Sequence, residues 1–261
     1  MQVVLVPYFF TLAAFDAESD SLYGMALSDL ENPFIRAKLV RVDLRTRDVS
    51  ILKYPDDLFA RAIALNRGGG TILISGSRPV NGTNRRAYGI FEIQASTGAV
   101  ARTVIQSGCA DQRQLWHQLH ASKDGQAVLA TNGNQLNLID LKTGESRAIP
   151  GFSAGAWSPD GTWIAALRHN AALALLDPLT LEVKKELGNN SFPDVLWSPD
   201  SHRLIGTISG HGCPTSWTSL ETIDVATGQR EPLKGAKCQV RTGEVGWLDP
   251  AGIPEPIPQS R

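Results

Sequence analysis

Two different tight turns alternate along this 261-residue chain, and their alternation restricts the fold more than any other feature. The first carries an Asp-x-x-Thr frame at Asp43–Thr46, Asp140–Thr143, Asp177–Thr180 and Asp224–Thr227, with Gln94–Thr97 as a glutamine version. The threonines lie 51, 46, 37 and 47 residues apart, and Gly98, Gly144 and Gly228 follow three of them. Asp accepts hydrogen bonds from the backbone N–H groups just ahead of it, and Gly supplies the positive φ that closes the turn. The second turn reads "ASKDG" at Ala121–Gly125, "WSPDG" at Trp157–Gly161 and "WSPDS" at Trp197–Ser201, with degenerate copies at Leu65–Gly69 and Trp247–Gly252. Here Pro fixes φ at the second turn position and Asp-Gly completes a type I-like turn.

Apolar segments flank both turns, as in "NQLNLIDL" before one and "WIAAL" after the other. Each repeat of roughly forty residues therefore reads as four strands, a to d, the second turn joining a to b and the first joining c to d. That is the layout of a β-propeller blade. An ordinary β-sandwich does not require two different turns to alternate five times. The fold expected is all-β, a propeller of five four-stranded blades occupying residues 1–252 as one domain, with a Pro-rich tail at 253–261. "MQVVLV" aligns with "GQAVLA" (Gly125–Ala130), so the chain is expected to begin at a strand b. Glu244–Leu248 then reads as a spare strand a that pairs beside Gln2–Val6 and closes the ring, leaving no open sheet edge. The alternative is an open piece of a six- to eight-bladed propeller.

Lys and Arg number 25 against 26 Asp and Glu, a formal net charge of −1. No global field exists to hold nucleic acid or an anionic membrane, so neither is expected as a partner. The apolar run from Val3 to Phe15 has no Lys or Arg ahead of it and is interrupted by Pro7. It reads as a buried strand rather than a signal peptide, and it is too short to span a bilayer. A monomer is expected.

The motifs "AWSPDGTWIAAL" and "LWSPDSHRLIGTI", with "LIDLKTG" and "TIDVATG", resemble the repeats of TolB-type, WD40-like propellers, common in bacterial periplasmic proteins and in the propeller domains of some peptidases. The resemblance runs from about Gln114 to Lys234 and is weak over the first two repeats. It implies a binding or scaffolding module whose repeat residues are structural. It supplies no catalytic residue and no cofactor, and it leans towards an extracytoplasmic location.

In such a fold the b–c and d–a connections share one face, and here they are long, irregular and rich in binding groups. Arg78, Arg85 and Arg86, with Asn81 and Asn84, fall in an expected b–c loop, Ser75–Tyr88. A d–a loop brings Cys109, Asp111, Arg113, Trp116 and His117, and the fourth repeat brings Arg168, His169 and Asn170. The last repeat adds His211, Cys213 and Trp217, followed by Lys237, Cys238 and Arg241. Clustered arginines suit an anionic partner. Trp116 and Trp217 depart from the repeat and are read as contacts, whereas Trp157, Trp197 and Trp247 occupy one repeated position and are read as packing between blades. A Cys213–Cys238 disulfide is open to the chain in an oxidising compartment. His-x-Cys is not a recognised ligand spacing, so no metal is expected. There is no Walker loop or Gly-x-Gly-x-x-Gly.

The function expected is therefore non-catalytic binding of a protein, peptide or small anionic ligand. The alternatives are a propeller enzyme of the lactonase, lyase or cyclase type, or the sensor or gating propeller of a larger peptidase or regulator. An enzyme would gather polar groups at the inner ends of the a strands, where only His117, His120, Arg61 and Asp194 are placed.

Overall fold

The structure, a computed structural model, describes residues 9–16, 20–27, 38–66, 70–80, 82–83, 85–106, 116–170, 172–189, 195–208 and 219–232. Five antiparallel sheets of four strands follow one another along the chain, each in simple sequential order. The first holds β1 (Phe9–Asp16), β2 (Ser21–Leu27), β3 (Lys38–Asp43) and β4 (Val49–Ile51). The second holds β5 (Phe59–Asn66), β6 (Thr71–Pro79), β7 (Arg86–Gln94) and β8 (Val100–Gln106). The third holds β9 (Trp116–Ala121), β10 (Ala127–Asn132), β11 (Gln135–Asp140) and β12 (Ser146–Ile149). The fourth holds β13 (Phe152–Trp157), β14 (Ile164–Arg168), β15 (Ala172–Leu176) and β16 (Val183–Asn189). The fifth holds β17 (Leu196–Trp197), β18 (Arg203–Ile208), β19 (Ser219–Asp224) and β20 (Arg230–Pro232).

The first strands pack against one another in succession, β1 on β5, β5 on β9, β9 on β13 and β13 on β17. This is the inner wall of a five-bladed β-propeller. Apolar clusters fill the spaces between blades. Leu39, Ile72, Ile74 and Phe91 lie between blades 1 and 2, and Leu73, Ile90, Val128 and Ile139 between blades 2 and 3. Leu129, Leu136, Ile164 and Leu176 fill the next space, and Leu175, Leu187, Leu204 and Ile223 the last. Middle strands are covered on both faces, so they read as unbroken apolar runs such as Ile72-Leu73-Ile74, whereas outer strands such as β8 are largely exposed.

Both turns are built as side-chain cages. Asp140 Oδ1 accepts from the N–H groups of Lys142 and Thr143 at 2.8 and 2.7 Å, and Thr143 Oγ1 accepts from Glu145 N. Asp43 and Asp177 make the same pair of bonds, to Arg45 and Thr46 and to Leu179 and Thr180. The residue after the Thr has positive φ in all five copies; it is Gly98, Gly144 and Gly228 in three, but Arg47 and Leu181 in the others. In the second turn the organising residue is a buried serine. Ser122, Ser158 and Ser198 each donate to the Asp two positions on, at 2.6, 2.6 and 2.5 Å, and each accepts from the N–H five positions on, at 2.9 Å. Blades 1, 3 and 5 then stitch their two turns together: Leu44 N donates to Asp20 O, Leu141 N to Gln126 O and Val225 N to His202 O.

That stitch corrects the reading of the first blade. Asp20 takes the place of Gln126, so Ser21–Leu27 is strand b and Phe9–Asp16 is strand a. The first blade carries all four of its own strands. The match of "MQVVLV" to "GQAVLA" rested on an apolar pattern that a or b strands satisfy equally. Gln2–Val6 and Glu244–Leu248, the pair expected to close the ring, lie outside the described residues.

Candidate functional site

Because the strands alternate in direction, the starts of a, the ends of b, the starts of c and the ends of d share one face. On it, the second blade departs from expectation. Ser75–Tyr88 is mostly strand rather than loop: β6 and β7 stay paired from Thr71–Gln94 out to Pro79–Arg86. Gly76 and Gly89 face each other in that ladder, and a Cβ on either would strike the carbonyl oxygen of Phe59 or Ile105 at 2.2 or 2.3 Å. Backbones thus approach too closely for any side chain there. The extended hairpin carries Arg78 and Arg86 on strands.

Both guanidiniums are held from below. Arg78 donates through Nε and Nη2 to Asp57 Oδ2 at 2.9 and 2.7 Å, and lies 6.0 Å from the Phe91 ring. Arg86 donates through Nε to Ser77 Oγ at 2.9 Å, and through Nη2 to the carbonyls of Ser77 and Asp57 at 2.7 and 3.2 Å. Its guanidinium covers the Phe59 ring at 4.3 Å, yet Phe59 remains 58% exposed. Arg85 beside them is exposed, its backbone N–H held by Thr83 Oγ1. The segment bearing Asp57 is pinned by Tyr54, whose hydroxyl donates to Leu58 O at 2.8 Å. Burial pushes that hydroxyl well above its ordinary pKa, so it stays a donor.

In the third blade Trp116 is 3% exposed and packs with Ala62, Leu73, Ile90 and Leu119 between blades 2 and 3. Its side chain is thus withdrawn from the surface, and among the described residues its indole N–H finds no hydrogen-bond acceptor. His117 next to it is exposed. It borders a depression of about 430 Å³ whose wall continues through Gln118, Thr131, Asn134 and Ser153. In the fourth blade Arg168 donates to Glu186 Oε1 at 2.9 Å and covers the Phe152 ring at 4.6 Å, repeating the stack of the second blade. His169 is exposed at the following turn. Arg113, His211, Cys213, Trp217, Cys238 and Arg241 lie outside the described residues, as do Cys109 and Asp194. Among the described residues no three His, Cys, Asp or Glu side chains gather as a metal cage.

Phe59, Asp57 and Ser77 went unnoticed in the sequence. The missed signal was a phenylalanine opening a strand a with an arginine at the hairpin facing it, seen again in Phe152 and Arg168.

No protein-family model matches the chain, and no curated protein matches it in sequence. Solved structures do: 1180 chains match, so the likeness identifies a common architecture and not one activity. Oligogalacturonate lyase in complex with manganese aligns at a TM-score of 0.57 and 15% identity, over 84% of this chain and 63% of that one. A chain of the mitotic checkpoint complex aligns at 0.53 and 13%, over 85% and 64%. Hydrazine synthase from Kuenenia stuttgartiensis aligns at 0.50 and 18%, over 69% and 51%. This chain spans between about half and two thirds of the chains it matches. Enzymes and an assembly protein stand side by side among them, and what they share with this chain is the WD40-like, four-stranded β-propeller fold.

Proposed function

We propose that this chain is a non-catalytic binding propeller of the TolB-like kind that engages a protein, peptide or small anionic ligand through the face bearing the a-strand starts. The observation that carries the reading is the exposed Phe59 ring under the Arg86 guanidinium, with the exposed Arg85 next to Arg86 in the chain. An exposed aromatic gives apolar area and a capping guanidinium gives directional donors, the pairing that concentrates binding energy at interfaces. The opposite face differs in kind, because its Asp Oδ1, Ser Oγ and Thr Oγ1 atoms are engaged inside the turn cages. The reading takes residues 1–252 as one propeller and 253–261 as a tail.

The test is capture of a partner by the tagged chain, quantified for three variants. Phe59→Ala and Arg85→Glu are expected to lower capture at least tenfold. Leu179→Ala, on the opposite face at a residue 91% exposed, is expected to leave it unchanged. Equal capture by all three removes this face from the site.

A further inference from the structure

Four of the five described innermost strands slip their register by one residue at the same place. Ladder partners skip Thr11 between Phe10 and Leu12, Arg61 between Ala60 and Ala62, His117 between Trp116 and Gln118, and Ser153 between Phe152 and Ala154. All four lie four residues before one repeated position near the end of the strand, at Phe15, Leu65, Ala121 and Trp157, the last three of which open the a–b turn motif. The corresponding Pro193 of the fifth blade lies outside the described residues.

In a regular ladder, side chains of an inner strand alternate between the two neighbouring blades and are buried there. A bulge releases one residue from that alternation and re-aims its side chain. Exposure follows this rule. Arg61 is exposed although Ala62 is buried, His117 is exposed between buried Trp116 and half-buried Gln118, and Ser153 is half-buried between buried Phe152 and Ala154. His117 and Ser153, from adjacent blades, wall the same 430 Å³ depression. Arg61 holds the identical position one blade earlier, on a strand packed against that of His117. Among the described residues neither Arg61 nor His117 has a hydrogen-bond or ion-pair partner.

We propose that this ring of bulged residues is a carboxylate-binding site at the mouth of the central channel, with Arg61 as the charged anchor and His117 and Asn134 as further donors, while Ser153, whose hydroxyl donates to Leu167 O at 3.2 Å, shapes the wall. The proposal rests on the reading of this face as the binding face. A guanidinium offers two parallel N–H groups that match the two oxygens of a carboxylate. One permanent positive charge balances one carboxylate, whereas a phosphate monoester near −2 would keep uncompensated charge. The source is either a free small acid or the carboxylate end of a peptide, and the chemistry at the ring is the same.

Calorimetric titration at fixed ionic strength distinguishes the sources. The probes are succinate against succinamide, and acetyl-trialanine acid against its amide. At least one acid is expected to bind tenfold or more tightly than its amide, and which pair shows the preference names the source. Arg61→Gln is expected to abolish the preference, Arg61→Lys to restore part of it, His117→Gln to weaken it several-fold, and Lys142→Gln on the far face to leave it unchanged. Thermal melting of each variant checks that the blade remains folded. Equal binding of acid and amide, no binding of any probe, or a preference that survives in Arg61→Gln overturns the proposal. If that happens while Phe59→Ala still abolishes partner capture, the ring alone falls. If the acid preference holds while capture is indifferent to Phe59, the outer surface falls instead.

Discussion

The Trp197 indole donates its N–H to the Ala156 carbonyl at 3.0 Å, tying the fifth blade to the innermost strand of the fourth. Trp157 sits at the same repeat position one blade earlier, but its N–H is buried without a partner among the described residues. Replacing each Trp by Phe therefore separates packing from hydrogen bonding. Trp197→Phe strands the Ala156 carbonyl and is expected to cost about 1–3 kcal/mol beyond the lost ring volume. Trp157→Phe removes an unsatisfied donor and is expected to cost less by at least about 1 kcal/mol. Urea unfolding of the two variants measures the difference, and equal losses would contradict the assigned bond.

Arg47 and Leu181 occupy the turn position with φ of 66° and 61° where the other three copies have glycine. Left-handed backbone strains a side-chain-bearing residue by about 1–3 kcal/mol. Arg47 is exposed, so Arg47→Gly is expected to stabilise the chain by roughly 0.5–1 kcal/mol after the added unfolded-state entropy. Leu181 packs against the core between blades 3 and 4, so Leu181→Gly relieves the same strain but loses that burial. Its net effect is expected to be destabilising by about 1–2 kcal/mol. Opposite signs in thermal melting support the account, and a common sign refutes it.

Seven turn carboxylates titrate below their ordinary value of 3.8. In Asp43, Asp140, Asp177 and Asp224 the main cause is the N–H of the threonine three residues on. In Asp124 and Asp200 it is the serine hydroxyl two residues back. Asp160 is opposed by its own burial, which the bonds from Ser158 and Thr162 outweigh. A folded carboxylate that resists protonation stabilises the fold fully above the unfolded pKa, and the gain is lost as pH falls through the folded one. Melting temperature is expected to be flat in this respect down to about pH 4 and to drop below it. Asp140→Asn is expected to flatten the acid limb. A melting temperature unchanged to pH 2.5 would count against the cages.

How much of this was legible in the chain depends on whether a feature is local. The Asp-x-x-Thr cage is closed within four residues, so its chemistry could be read directly from the sequence. The serine of the other turn is just as local and is shared by "ASKDG", "WSPDG" and "WSPDS", but serine is common in turns of every kind, whereas proline and glycine mark this one by their restricted backbone. The second-blade hairpin was read as a loop because Ser, Gly, Pro and Asn cluster there. In fact Gly76 and Gly89 are required by the close approach of neighbouring strands, a tertiary demand that composition does not express. Bulges at Arg61 and His117 are relations between two strands and leave no mark in either strand alone.

The same independence has a consequence for how such a chain can change. A residue released from the ladder bears on neither adjoining blade, so its identity is decoupled from the packing that keeps the ring together. Positions 61, 117 and 153 are then the places where chemical selectivity can be rewritten, one blade at a time, without renegotiating the core.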